Sequence, residues 1–100
     1  MPHKHPDDYV QAGRAWTTLL VLHANPAEQA VPVLRQMANE MSADSGPAFD
    51  SDHKIRTARS TAWLAVCALL KQIETDPKAV SLTLWDDAKD AVKSWEREAE

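Results

Sequence analysis

The chain has 100 residues, of which 44% are hydrophobic and 26% are charged, and its formal net charge at pH 7 is -4. This composition indicates one globular domain, because disordered chains lack the apolar side chains whose burial offsets the entropy of ordering. The negative charge argues against a nucleic-acid-binding protein, since contacts to phosphates need a surplus of Lys and Arg on one surface.

The sequence carries no segment typical of a membrane or of an oxidising compartment. Its longest apolar stretch runs for nine residues, from Ala62 to Leu70, whereas a membrane span needs about 20. The N-terminal residues lack the apolar run of a secretory signal. Cys67 is the only cysteine, and its apolar neighbours predict a buried, unreactive thiol. We therefore expect a cytoplasmic protein.

The spacing of apolar residues predicts four helices in one domain that spans residues 1–100, with residues 1–6 as a flexible tail. The first helix runs from about Asp8 to Ala24. Gly13 lies on its apolar stripe, although glycine lowers helix stability by up to about 1 kcal/mol relative to alanine. We therefore expect this glycine to mark a close crossing of two helices.

The second helix follows Asn25-Pro26, a pair typical of a helix start, in which Asn25 would be the N-cap. Pro32 interrupts its apolar pattern. Because proline lacks the N–H and its ring clashes with the preceding turn, we expect a bend between Ala27 and Pro32. Residues 42–51 are dense in turn-forming residues and lack an apolar period, which predicts a loop.

The third predicted helix, from about His53 to Glu74, is the longest, and its apolar residues cover a wide arc. An arc of this width is typical of a helix covered from two sides, so we expect it to be central. Residues 77–81 form either a connection or a fifth, short helical turn. A capping pattern at Thr83 begins the last helix, and residues 97–100 should fray. The predicted fold is an all-α bundle of four helices, or of five.

No residue pattern points to catalysis. The chain lacks a Cys–His pairing signature, a glycine-rich phosphate loop and a His-Glu-x-x-His motif. Its four histidines do not converge in the predicted fold, so we expect neither a metal site nor a cofactor. We therefore expect that the protein is not an enzyme.

The last helix carries the surface that we interpret as a protein interface. Apolar residues there recur at three-four spacing, and two of them are tryptophans, which are enriched at the energetic centres of interfaces. Charged residues beside them would form a polar rim. The predicted interface comprises Trp85, Asp86, Lys89, Val92, Lys93 and Trp95. It would dock on a protein partner, on a second copy of the chain, or on both, and we expect a dimer.

An alternative site lies at the start of the third helix, where four residues share a face by their spacing. They are Arg56, Arg59, Ser60 and Trp63. Guanidinium groups and a hydroxyl bind phosphate and an indole stacks on a base, so this face would hold a small anionic ligand such as a nucleotide. The same residues also fit a structural role, in which Trp63 packs in the core and the arginines pair with acidic residues of the loop or of a neighbouring helix.

In size, acidity and lack of a catalytic signature, the chain resembles the small stoichiometric inhibitors and adaptors carried by phages and bacterial accessory genes. Such a likeness implies a class of function, but size and composition do not carry function by themselves. The leading interpretation is a non-enzymatic helical module for protein–protein interaction. The alternative is a binding protein for a small anionic ligand.

Overall fold

The computed structural model describes residues 5–42 and 53–100, which form four α-helices and no strand. The helices are α1 (Pro6–His23), α2 (Val31–Met41), α3 (His53–Thr75) and α4 (Leu82–Ala99). A 3₁₀ turn at Ala27–Ala30 lies between α1 and α2. The predicted all-α bundle, with its longest helix in third place, is confirmed.

Each helix buries one face in a shared core. Helix α1 packs on α4, α4 packs on α3, and α3 packs on α2. The core side chains that have no solvent exposure and are larger than alanine are Leu19, Leu34, Ile55, Val66, Leu69, Val92 and Trp95. Helix α3 is covered from two sides, as its wide apolar arc predicts. Helix α4 shares this central position, because it lies between α1 and α3.

Where the sequence predicts a bend between Ala27 and Pro32, the structure has a 3₁₀ turn that continues directly into α2. The 3₁₀ turn ends at Ala30, and Pro32 occupies the first turn of α2. At that position the missing N–H would have had no partner within the helix, so proline is tolerated. Asn25 does not cap the following helix as predicted. Its side chain instead donates to the carbonyl of Val21 at 2.7 Å, which satisfies an acceptor at the end of α1.

The two chain ends differ from the expectation of a flexible tail and a frayed last turn. Residues 1–4 of that tail, and residues 43–51 of the predicted loop, lie outside the described residues. His5 is buried, and its backbone N–H donates to the carbonyl of Ala99 at 3.0 Å. Helix α4 continues to Ala99, which is fully buried. This hydrogen bond joins the two chain ends and satisfies a carbonyl at the end of α4, which keeps the last turn of the helix in place.

The connection between α3 and α4 is a turn, and residues 77–81 contain no fifth helix. Asp76 shapes this turn, because its carboxylate accepts a hydrogen bond from the backbone N–H of Lys78 at 3.1 Å. Ser81 caps α4, and its hydroxyl accepts from the backbone N–H of Thr83 at 3.1 Å. The cap therefore lies two residues before the predicted one.

Candidate functional site

Helices α1 and α4 lie antiparallel and in close contact. A Cβ atom on Gly13 of α1 would lie 3.2 Å from Oε2 of Glu96 on α4. At the other end of the pair, the His23 ring stacks flat on the Trp85 indole, with 4.7 Å between centroids and 2° between planes. Gly13 thus lies on the contact between α1 and α4, but its near neighbour is the end of a side chain, so the close helix crossing expected there is not shown.

A buried polar cluster joins three helices near the chain ends. Asp8 of α1 is 1% exposed, and its Oδ1 accepts from Arg59 Nη1 of α3 at 2.7 Å. The same oxygen accepts from the indole N–H of Trp95 on α4 at 2.9 Å. Oδ2 of Asp8 is buried and accepts no hydrogen bond from a described residue. Because burying charges costs free energy unless they are paired, these contacts hold the three helices in one mutual arrangement.

The apolar face of α4 that we assigned to a partner is occupied within the chain. Trp85, Val92 and Trp95 are buried and belong to the core. They are covered because α1 and α3 both pack on this face of α4. Asp86 is exposed and lies 3.8 Å from Lys89. The assignment is therefore corrected: these three apolar residues stabilise the fold and do not form an accessible surface.

The two lysines of the predicted rim, Lys89 and Lys93, contact aromatic rings of α1 from α4. Lys89 Nζ lies 3.0 Å from Nδ1 of His23, and the ammonium group must be the donor because it carries no lone pair. Lys93 donates to Glu96 at 2.8 Å and lies 4.6 Å from the ring centroid of Trp16 on α1. Both side chains are half-buried and act between helices of the same chain.

The four residues of the alternative anion site do not converge. Arg59 points into the core toward Asp8, whereas Arg56 and Ser60 are exposed. A shallow cleft of about 340 Å³ is lined by Arg56 and Ser60 but not by Arg59 or Trp63. Trp63 is half-buried and packs against the core. Arg59 and Trp63 therefore have the structural roles given as the alternative, in which Arg59 pairs with an acidic residue and Trp63 packs against the core. A site that needs all four residues is not formed.

Cys67 is half-buried on α3, and burial raises the pKa of its thiol above the ordinary value. A raised pKa lowers the thiolate fraction near neutral pH. The sequence predicts a buried thiol, whereas Cys67 is half-buried. Among residues 5–42 and 53–100, no group of three or more His, Cys, Asp or Glu side chains is placed to hold a metal ion.

The described helices also include none with both the length and the apolar character needed to cross a membrane.

A surface that the sequence interpretation missed lies on the solvent side of α1. Three large apolar side chains are exposed there, although helix α1 already buries an apolar face on its other side. We define the α1 outer face as Val10, Arg14, Thr17, Leu20 and Val21. An open cleft of about 630 Å³ runs beside it and is lined by the half-buried rings of Tyr9 and Trp16. The signal in the sequence was that Val10 and Val21 fall outside the three-four pattern of α1, whereas Leu20 falls within it and is nevertheless exposed.

The fold and this surface define the class of protein as a four-helix bundle with an exposed apolar face on its first helix. No protein-family model, curated protein or solved structure matches the chain.

Proposed function

We propose that this protein is a non-enzymatic binding module that docks a helix of another protein on the α1 outer face. The observation that carries the proposal is that α1 is apolar on two sides. Its inner side fills the core, while Val10 and Val21 on the outer side are 53% and 58% exposed. A row of exposed apolar side chains along one helix is typical of surfaces that bind a partner helix.

The spacing on the α1 outer face suits helix–helix packing. Val10, Arg14, Thr17 and Val21 follow one another at intervals of four, three and four residues. This alternation aligns side chains along the seam between two packed helices. The 12 residues from Val10 to Val21 span about 16 Å at the rise of an α-helix, or about three turns. A partner helix of about three turns therefore matches this face.

The charge on this face indicates the chemistry of the partner. Arg14 is exposed within the row and takes part in none of the ion pairs between described residues. A carboxylate set among apolar residues of the partner would pair with it and fix the orientation. Beside the row, Trp16 offers an aromatic side chain of the type that is enriched in interface hot spots.

A second copy of the chain matches this face less well than another protein. On α4, Asp86, Asp87 and Asp90 are exposed and acidic, but Leu82 is the one exposed large apolar side chain of that helix. A symmetric contact between two α1 helices would bring their Arg14 side chains together. Docking of another protein on this face fits the inhibitor or adaptor role expected from the sequence.

The test is a double variant, Val10→Asp with Val21→Asp, compared with Leu64→Asp. Leu64 is 60% exposed on α3 and lies outside the α1 outer face, so it is a matched control. A partner captured from the source cells is identified by mass spectrometry and then purified, and its affinity for each variant is measured by calorimetry. We expect the double variant to bind at least tenfold more weakly, whereas Leu64→Asp binds as the wild type does.

Urea unfolding of each variant checks that the fold is intact. Equal affinity of the double variant and the wild type would overturn the proposal. Light scattering adds a second decisive outcome, because a wild-type dimer that the double variant abolishes would assign the face to a second copy of the chain.

A further inference from the structure

A cleft lies between α1 and α2. These two helices make little direct contact and face each other across a cleft of about 180 Å³. The cleft has a buried apolar floor, formed by Ala15 of α1 and by Met37 and Met41 of α2. Methionine side chains are flexible and polarizable, so such a floor adapts to the shape of a small apolar group.

The two sides of this cleft carry opposite charges. Arg14 lines it on α1 and Glu40 lines it on α2, and both side chains are exposed. The ion pairs between described residues include neither of them, so the two charges lie across the cleft without pairing. Glu40 accepts a hydrogen bond from the Gln36 amide at 3.2 Å, which positions its carboxylate on the rim.

We propose that the cleft between α1 and α2 binds a free α-amino acid with an apolar side chain. The carboxylate of the amino acid pairs with the Arg14 guanidinium, and its ammonium group pairs with the Glu40 carboxylate. Its side chain lies on the floor of Ala15, Met37 and Met41. The zwitterion thus links two opposite charges that the protein leaves apart.

The size of the cleft limits the ligand. A volume of about 180 Å³ holds about six water molecules at roughly 30 Å³ each. This space suits an aliphatic or thioether side chain of the size of leucine or methionine. Because both charged groups are exposed and screened by water, we expect weak binding, with a Kd on the order of 1 mM.

The experiment is a titration of the ¹⁵N-labelled protein, followed by backbone amide shifts of α1 and α2. The probes are leucine, 4-methylpentanoate without the ammonium group, isoamylamine without the carboxylate, and glycine without the side chain. We expect saturable shifts for leucine and at least fivefold weaker binding of the other three. Arg14→Gln and Glu40→Gln should each weaken leucine binding at least fivefold, because each removes one of the two charges.

Matched controls are Arg97→Gln and Glu28→Gln, which neutralise exposed charges away from the cleft. Both should bind leucine as the wild type does. The proposal is overturned if leucine gives no saturable shifts, or if the Arg14 and Glu40 variants bind it with wild-type affinity. The double variant at Val10 and Val21 should retain leucine binding, so failure of the partner-docking proposal and failure of this one are distinguishable.

Discussion

Arg59 and Asp8 form a buried ion pair, in which Nη1 of Arg59 lies 2.7 Å from Oδ1 of Asp8. Helices α1 and α3 are not neighbours in the packing order of the bundle, which runs α1, α4, α3 and α2. The ion pair therefore reaches across the core, and Trp95 of the intervening helix α4 donates to the same carboxylate oxygen. One carboxylate thus links all three helices.

Replacing Asp8 by Asn should destabilise the fold by about 3 kcal/mol, because removal of one partner leaves the other charge buried without its counter-charge. Urea unfolding measures this change. Asp7→Asn is the matched control, since Asp7 is exposed in the same helical turn and its loss should change stability by at most about 1 kcal/mol. If Arg59→Met is added to Asp8→Asn, part of the loss should be recovered. Equal effects of the two Asp variants would contradict the ion pair.

Trp95→Phe should cost more stability than Trp85→Phe, although both indoles are buried. Trp95 donates its N–H to Asp8, whereas the contact described for Trp85 is the stack on His23. A hydrogen bond to a charged group contributes about 1.5–3 kcal/mol, so the two variants should differ by about that amount. Unfolding is followed by far-UV circular dichroism, because the substitutions change fluorescence directly. A larger loss for Trp85→Phe would contradict this role for the Trp95 N–H.

Gly13→Ala should stabilise the protein by about 0.5 kcal/mol. Alanine favours the helix over glycine, and the atom that its Cβ would meet is the end of the Glu96 side chain, 3.2 Å away. A carboxylate end can move by a few tenths of an ångström at little cost. Thermal denaturation checks this variant, and a lower Tm for Gly13→Ala would show that Glu96 cannot yield.

Alkylation of Cys67 by iodoacetamide should have a pH profile displaced upward in the folded protein relative to the protein unfolded in urea. Burial raises the pKa of the thiol above its ordinary value of 9.0, and the thiolate is the reactive form. Folding therefore favours the neutral thiol. The contribution of the neutral thiol to the free energy of unfolding is complete below the ordinary pKa and is lost as the pH rises through the folded-state pKa. Identical pH profiles for the folded and unfolded chains would contradict partial burial of the thiol.

Much of the fold could be predicted from local sequence patterns. The recurrence of apolar residues every three or four positions located all four helices, and Gly13 lies on the contact between α1 and α4. The details at helix ends were less predictable. Ser81 and Thr83 can both cap α4. The Asn25 side chain can bond either to the helix that follows or to the end of α1, so small energy differences decide between the alternatives in each case.

The candidate site depended far more on tertiary structure. Spacing alone placed Arg59 and Arg56 on one face of α3, but Arg59 turns inward because Asp8 lies buried within reach on another helix. Asp8 itself falls in register with the buried residues of α1, at four residues before Ala12. That register was the available signal for a buried carboxylate.

The sequence by itself determined that this chain is helical and which residues share a face of each helix. Both properties depend on neighbours within a few positions of the chain. Only the tertiary structure decided which apolar surface is covered. The Trp95 side of α4 is enclosed by α1 and α3, whereas Val10 and Val21 of α1 stay exposed. Burial depends on how helices distant in sequence pack together, and the spacing within one helix does not contain that arrangement.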